Sequence, residues 1–486
     1  MSKYPSDTFC AFPFIHLVTH NSGSYGPCCS ASEYFYVNEH GESKWAKQYL
    51  TDSLAIDEKM IPYGLGMEEA FHSKPMQELR AKLLNGEKPS TCDFCWQQEK
   101  HIRSKRQFGN TFYLAEDDLS KGIMDFNADD ISSNPQLRSL DLKFSNKCNL
   151  HCLMCNSGSS DMWDAVDRKI HDYLVKNNLK TGQVFMTDQG QLSSMADLDK
   201  LVDLKKEKYE TKIFHSNDHL VRSRSEASAA FPEKLYEEIK SLIPQLREIQ
   251  CTGGEPFVSS QFVDLLKYAI ETGHAEHIAL EITTNGTKFV ADIMDLLQHF
   301  RHTRFLVSID GTEGTYEYIR APFQYSKLLE RLNTLKDYMS SGKIKSFVNI
   351  PSVVMSYNLF DYDNLNSKLA PILGLNNVHL TFELYNDDSP LHPKWLPDEL
   401  LNDALNFYQD KINSATTEIQ KSNNEYILSR LKNYIEDNPV DAETKLYNQR
   451  RFKNYTVLMD KVLNRDYHNF LDPRLIKFLD SIEGDI

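Results

Sequence analysis

An α/β fold built around a parallel sheet is predicted by two observations. Between residues 231 and 385, short apolar-alternating runs alternate with amphipathic segments of 10–15 residues, the pattern of repeated βα units. A further alternating run, "LRSLDLKFS" (137–145), stands upstream and leads into a cysteine-rich loop. Counting from residue 137, the expectation is six strands in one parallel sheet.

The elements follow in order. From Cys10 to about Asn110 the chain holds five of its nine cysteines and two of its four tryptophans, in short apolar runs broken by Gly, Ser and Pro, so a small irregular cysteine-bearing module is expected. The segment "MEEAFHSKPMQELRAKLLNGEKPSTCDFC" predicts a helix whose Met76, Leu79, Leu83 and Leu84 form a packing stripe. After the strand at 137–145 comes a loop and then a helix from about Ser159 through "DMWDAVDRKIHDYLV". Residues of about 178–230 are polar and lack an apolar period, which predicts a solvated insertion or lid. Strands follow at "REIQCTG", "HIALEITTNG", "RFLVSIDG", "KSFVNIPSVV" and "NVHLTFELY", with helices between them. From Pro397 onward the chain is helical and charged, with no motif that carries chemistry.

Composition narrows the function classes. The 486 residues carry 54 Lys and Arg against 69 Asp and Glu, a formal charge of −15 that opposes binding to a polyanion, so no nucleic-acid partner is expected. No run of about 18 apolar residues and no secretory signal is found, which predicts a cytoplasmic protein without membrane association. In that setting nine cysteines point to reduced thiols or metal ligands rather than disulfides.

The chemistry concentrates in "KFSNKCNLHCLMCNSG", where Cys148, Cys152 and Cys155 are spaced C-x3-C-x2-C at the C-terminal end of the first strand. Ligands of α/β sheets bind at that end. Three thiolates can hold three corners of a cubane iron–sulfur cluster and leave one iron open. A zinc site completed by His151 or a distant cysteine is the alternative. On the next strand "QCTGGEPF" supplies Gly253, Gly254 and Glu255, where paired glycines permit close backbone approach and a carboxylate can accept from an ammonium. "TTNG" brings Asn285, and "VSIDG" brings Ser308 and Asp310, to the same end of the sheet, although turn formation explains both equally. Cys251 fits a buried apolar position. Two further pairs, Cys10 and Cys28 in C-x12-G-x4-C about Gly23 and Cys92-x2-Cys95, can make a four-thiolate site, for which zinc and an iron–sulfur cluster fit equally by spacing. His16, His20, His72, His101 and His151 are possible ligands and fit hydrogen-bonded bystanders better.

The three-cysteine loop after a first strand, with βα units downstream, resembles the radical S-adenosylmethionine (radical SAM) superfamily over about residues 137–384. The resemblance implies a partial (β/α)6 barrel over residues 136–390 and a [4Fe–4S] cluster on Cys148, Cys152 and Cys155. It also implies SAM on the open iron, cleaved reductively to a 5′-deoxyadenosyl radical that abstracts hydrogen from substrate. Met154 stands where the family has an aromatic residue near the adenine; Gly253, Gly254 and Glu255 are similar to the motif contacting the SAM amino group. Asn285 is a candidate SAM contact, and Ser308 with Arg320, twelve residues later, resembles a SAM-binding pair of peptide- and sulfatase-modifying members.

Residues 1–115 resemble the SPASM or shorter twitch auxiliary-cluster region, placed before the core rather than after it, which implies one auxiliary [4Fe–4S] cluster on Cys10, Cys28, Cys92 and Cys95, with Cys29 able to replace Cys28. A helical region over 396–486 completes the expected organisation. The implied activity is modification of a peptide or protein side chain, with an external one-electron reductant such as flavodoxin or ferredoxin. A dehydrogenase or modifier of a sugar or small metabolite is the alternative enzyme, and a non-catalytic zinc-binding interaction protein the alternative of another class. No catalytic acid or base is assigned.

Overall fold

The computed structural model describes residues 4–20, 23–38, 40–47, 60–61, 63–100, 103–114, 128–156, 159–177, 231–374, 379–381 and 389–483. The expected insertion at 178–230, His101 and most of "NVHLTFELY" lie outside them.

Strands are numbered along the chain: β1 (His16–Thr19), β2 (Tyr25–Gly26), β3 (Glu33–Asn38), β4 (Ser43–Lys47), β5 (Met60–Ile61), β6 (Ser139–Leu142), β7 (Glu248–Cys251), β8 (Ala279–Thr284), β9 (His302–Val307), β10 (Ser346–Asn349), β11 (Pro351–Val353) and β12 (His379–Thr381). The main sheet runs β10-β9-β8-β7-β6-β1-β2-β3-β4, with β5 on β3. The pairs from β10 to β1 are all parallel, and the rest of this sheet is antiparallel. The chain thus has an α/β fold with a mostly parallel central sheet.

The stretch expected as the fifth strand breaks into β10 and β11 at Ile350–Pro351, because proline has no N–H to give to a ladder. β11 then pairs in parallel with β12 as a separate two-stranded sheet. The larger surprise is β1. It comes from the cysteine-bearing N-terminal segment and joins the parallel sheet beside β6, in the register His16↔Ser139 and Val18↔Asp141. The N-terminal segment therefore shares its sheet with the core.

Strand alternation divides the two faces of the sheet. Leu140, Leu142, Ile249, Cys251, Leu280, Ile282, Phe305 and Val307 lie in the core that also includes the surrounding helices. Helix Tyr325–Ser340, for example, buries Leu328, Leu332 and Leu335 at helical spacing. The same core takes in Phe452, Tyr455, Leu458, Leu475 and Leu479, so the C-terminal helices are built into the core.

The opposite, inner face carries Ser139 and Asp141, Glu248 and Gln250, and Glu281 and Arg304 in adjacent registers. Its lower end is plugged by the N-terminal segment, whose own core of Phe9, Phe12, Phe14, Phe112 and Tyr113 reaches Ala279. A buried polar network seals this junction: His16 Nδ1 lies 2.7 Å from Ser139 Oγ, Ser139 Oγ donates to Glu248 Oε2 (2.7 Å), and Tyr113 OH donates to the same oxygen (2.7 Å). Burial, with the charge of Lys105 adding to it, pushes His16 down to about 3, so it is neutral and serves the network.

Candidate functional site

The three-cysteine loop leaves β6 and is held from four directions. Cys148 N donates to Asp161 Oδ1 (2.9 Å), and Ser160 Oγ donates to Leu150 O (2.6 Å). Trp163 Nε1, at the start of the following helix, donates to Cys152 O (3.1 Å). His151 N and Leu153 N donate to Ala321 O and Ile319 O (both 2.9 Å), and Tyr455 OH donates to Leu153 O (2.8 Å). Tyr455 lies 302 positions from Leu153, so no local pattern could have pointed to it.

The glycine turn after β7 packs directly on this loop. Glu255 N donates to Lys147 O at 2.8 Å. Gly254 has φ +51°, and a Cβ there would stand 2.2 Å from Lys147 O and 2.9 Å from Asn146 C, so only glycine fits. The Glu255 side chain is buried and points to β8, where Thr284 Oγ1 and Asn285 N each donate to it at 2.7 Å. Burial raises its pKa to about 7, against the opposing effect of those donors. The carboxylate is thus oriented by β8, with the Gly253–Gly254 backbone beside it at the turn.

Two nitrogen donors face the thiols. Asn285 Nδ2 stands 3.9 Å from Cys148 Sγ while also donating to Asn149 Oδ1 (2.9 Å). Arg320 Nη1 stands 3.7 Å from Cys152 Sγ. The rest of the Arg320 fork is taken by Asp310, through Nε at 2.6 Å and Nη2 at 2.5 Å, because a buried guanidinium needs a buried partner. Burial is the largest single effect and would lower the pKa of Arg320, but the Asp310 charge and hydrogen bond, together with Cys152 and Tyr316, more than offset it, so the group stays cationic. Ser308 is half-exposed at the end of β9, with its N–H on Thr284 O (2.8 Å), and Met154 is half-buried against the core.

Cys148, Cys152 and Cys155 lie within one another's electrostatic reach. Burial raises all three thiols, Cys155 to about 11; their mutual repulsion adds to the rise and Arg320 opposes it at Cys152 and Cys155. Three thiols that repel as anions, Cys152 buried and Cys148 and Cys155 partly exposed, with N–H donors aimed at two of the sulfurs, are a donor set suited to a thiolate-bound cationic group.

The N-terminal cysteines also converge. Asn110 clamps both sides of Cys10, its Nδ2 donating to Phe9 O and its Oδ1 accepting from Ala11 N, each at 2.8 Å. Arg106 Nη1 donates to Phe9 O (2.8 Å), and its Nε and Nη2 fork on Glu99 at 2.8 Å. Ser32 N donates to Thr91 O (2.8 Å), tying the Cys28 loop to the Cys92 turn. Burial is the main cause that raises Cys10, to about 12, as well as Cys28, Cys92 and Cys95. The repulsions run between Cys10 and both Cys95 and Cys92, between Cys92 and Cys95, and between Cys28 and its neighbour Cys29 as well as Cys10 and Cys92. Cys28 faces the other thiols, whereas Cys29 is exposed and receives a hydrogen bond from Lys105 Nζ (2.7 Å). Among the described residues, no three His, Cys, Asp or Glu side chains form a group that could hold a metal ion as they stand. Cys251 is buried in the core under the sheet. His72 is exposed beside Glu68, and no helix among the described residues is long and apolar enough to cross a membrane.

Residues 142–355 match the family model described as the Radical SAM superfamily. Solved structures that the chain resembles include native anSMEcpe with bound AdoMet, at 16% identity over 57% of this chain and 60% of that one, with a TM-score of 0.31. Streptococcus suis SuiB bound to S-adenosylmethionine matches at 11% identity over 79% of this chain and 68% of that one, TM-score 0.28. The same protein bound to precursor peptide SuiA matches at 11% identity over 93% and 88%, TM-score 0.31. The chain spans 60% of the length of the first of these structures. No curated protein matches the chain.

Proposed function

We propose, from the Radical SAM domain carried by residues 142–355, that this chain is a radical SAM enzyme with a second, N-terminal cluster site. The observation that carries the proposal is the Cys148–Cys155 loop at the C-terminal end of the sheet, with the Gly253–Gly254 turn packed against it and Asn285 and Arg320 aimed at its sulfurs. A [4Fe–4S] cluster on Cys148, Cys152 and Cys155, with SAM on its open iron, would supply reductive cleavage of SAM to a 5′-deoxyadenosyl radical.

The chain's own residues prepare the site for this. The Gly253–Gly254 backbone offers close approach to the SAM amino group, while Asn285, Met154 and Ser308 stand at the same end of the sheet to contact the remainder. Arg320 holds positive charge beside Cys152 and is oriented by Asp310. Cys10, Cys28, Cys92 and Cys95 would hold the auxiliary [4Fe–4S] cluster, in a module spanning about residues 1–115, with Arg106 and Asn110 fixing the Cys10 loop. The substrate of this reading is a peptide or protein side chain, and the electron comes from an external carrier such as flavodoxin or ferredoxin. SuiB has been solved with its precursor peptide, which is the kind of substrate proposed.

The test is anaerobic reconstitution with iron and sulfide, followed by SAM and dithionite. About eight irons per chain and the appearance of 5′-deoxyadenosine are expected. Stoichiometric zinc with no SAM cleavage would refute it.

A further inference from the structure

The chain that leaves helix Glu313–Ile319 runs in register with the cysteine loop. His151 N donates to Ala321 O and Leu153 N donates to Ile319 O, each at 2.9 Å. These two hydrogen bonds bracket Cys152 on one side and Arg320 on the other, so the backbone itself sets the arginine opposite that thiol. Arg320 is 8% exposed, and its Nη1 stands 3.7 Å from Cys152 Sγ. A cationic donor thus meets Cys152, whereas Cys148 is faced by the neutral Asn285 amide.

Asp310 completes the arrangement. Its Oδ2 accepts from Arg320 Nε and Nη2, and its Oδ1 accepts from Val353 N at the end of β11 (2.7 Å). Different nitrogens of one guanidinium therefore serve the carboxylate and face the sulfur. The carboxylate does not cancel the cation at the thiol, because Arg320 favours the Cys152 thiolate more strongly than Asp310 opposes it. Hydrogen bonds to the sulfurs and nearby charge are what tune an iron–sulfur cluster. An added electron makes such a cluster more negative, so a cation beside its ligand favours the reduced form and an anion disfavours it.

We propose that the Arg320–Asp310 pair sets the reduction potential of the cluster held by Cys148, Cys152 and Cys155, with Arg320 raising it at Cys152 and Asp310 limiting the rise. This rests on the radical SAM reading and deepens it by naming what makes the site reducible by an external one-electron carrier. Arg320 acts directly on a sulfur that holds the cluster. Asp310 is a positioning residue, acting through the guanidinium and by its own charge. A contact between Arg320 and the SAM carboxylate would govern SAM affinity, whereas the role proposed governs the electron.

The test is an anaerobic dithionite titration of the full reconstituted chain, followed by electron paramagnetic resonance, with SAM affinity measured separately by calorimetry. The titration adds one electron and makes or breaks no bond. The signal of this cluster is the one that added SAM perturbs, and its midpoint is read without SAM. Arg320→Met should lower the reduced-to-oxidised ratio at a fixed potential about tenfold or more, a midpoint shift of about 59 mV. Asp310→Asn should shift the midpoint upward, because it removes the anion and keeps the cation. A pair that only stiffens the loop would move both variants the same way or neither. Where either single variant loses iron, the double variant Asp310→Leu with Arg320→Met, which strands no buried charge, replaces it, and its ratio should still fall about threefold or more. Opposite shifts in the single variants, or that fall in the double variant, support the proposal. Midpoints that stay unchanged, or single variants that shift in the same direction, overturn it, even where SAM affinity falls. A wild type in which SAM perturbs no [4Fe–4S] signal refutes the radical SAM reading instead.

Discussion

Gly253→Ala and Gly254→Ala differ by one position, and the structure separates their outcomes. Both glycines have positive φ, +81° and +51°, so an added Cβ costs about 1–2 kcal/mol of backbone strain at either position. At Gly253 the new Cβ meets Lys143 and Ser145 at 3.4 Å, an ordinary contact, so strain is the whole cost. At Gly254 it meets the Lys147 carbonyl oxygen at 2.2 Å, and non-bonded atoms need about 3.5 Å. The backbone of the cysteine loop must then retreat by roughly 1 Å, immediately before Cys148. The total for Gly254→Ala should exceed about 4 kcal/mol, in the range reserved for substitutions that break a packed feature. At roughly 2–4 °C per kcal/mol, Gly253→Ala lowers Tm by about 2–8 °C and Gly254→Ala by more than about 8 °C. Scanning calorimetry on the reconstituted protein measures both, and Gly254→Ala should also lose about four irons per chain while Gly253→Ala keeps them. If Gly254→Ala melts no lower than Gly253→Ala and retains its iron, the close packing of the glycine turn on the cysteine loop is wrong.

Other outcomes follow from the same geometry. Cys152→Ala should lose about four of about eight irons together with SAM cleavage, whereas Cys95→Ala should lose about four irons and keep 5′-deoxyadenosine formation, as measured by iron assay and chromatography. Arg320→Ala leaves Asp310 buried without its cation and should cost about 3–5 kcal/mol in urea unfolding of the iron-free protein, much of which Asp310→Leu with Arg320→Met should recover. Glu255 has a folded pKa raised from 4.5 to about 7, so between those values the folded state holds a proton that the unfolded chain has released. Glu255 therefore contributes stability that is fully present below pH 4.5 and falls by about 3 kcal/mol as pH rises to 7; the difference in urea-unfolding free energy between the iron-free wild type and Glu255→Gln should follow that slope across the range, and a pH-independent difference would refute it.

How far the sequence reaches depends on whether a feature is local. The C-x3-C-x2-C loop, the Thr-Gly-Gly-Glu turn and the alternation of βα units are short patterns, each visible in a window of a dozen residues. They were enough to place Cys148, Cys152 and Cys155 at the end of a strand in a mostly parallel sheet. The partners that hold the loop are scattered: Asp161 and Trp163 follow it closely, but Arg320 and Tyr455 contact it from 168 and 302 positions away, which no window contains. Asp161 and Trp163 were within reach of a local argument, as residues at the start of the helix that follows the cysteine loop.

What the sequence by itself determined is the chemistry available: nine cysteines, seven of them in two sets, a glycine turn and an alternating α/β pattern, all carried by short-range constraints of backbone and spacing. Which groups meet was decided only by the tertiary structure. β1 enters the parallel sheet beside β6 and so lays the N-terminal cysteine segment against the inner face. Asp310 takes the Arg320 fork, and Glu255 turns its carboxylate to β8, because a buried charge must be matched by whatever the fold brings to it. Hydrogen-bond satisfaction is a property of the assembled interior, and no single strand carries it.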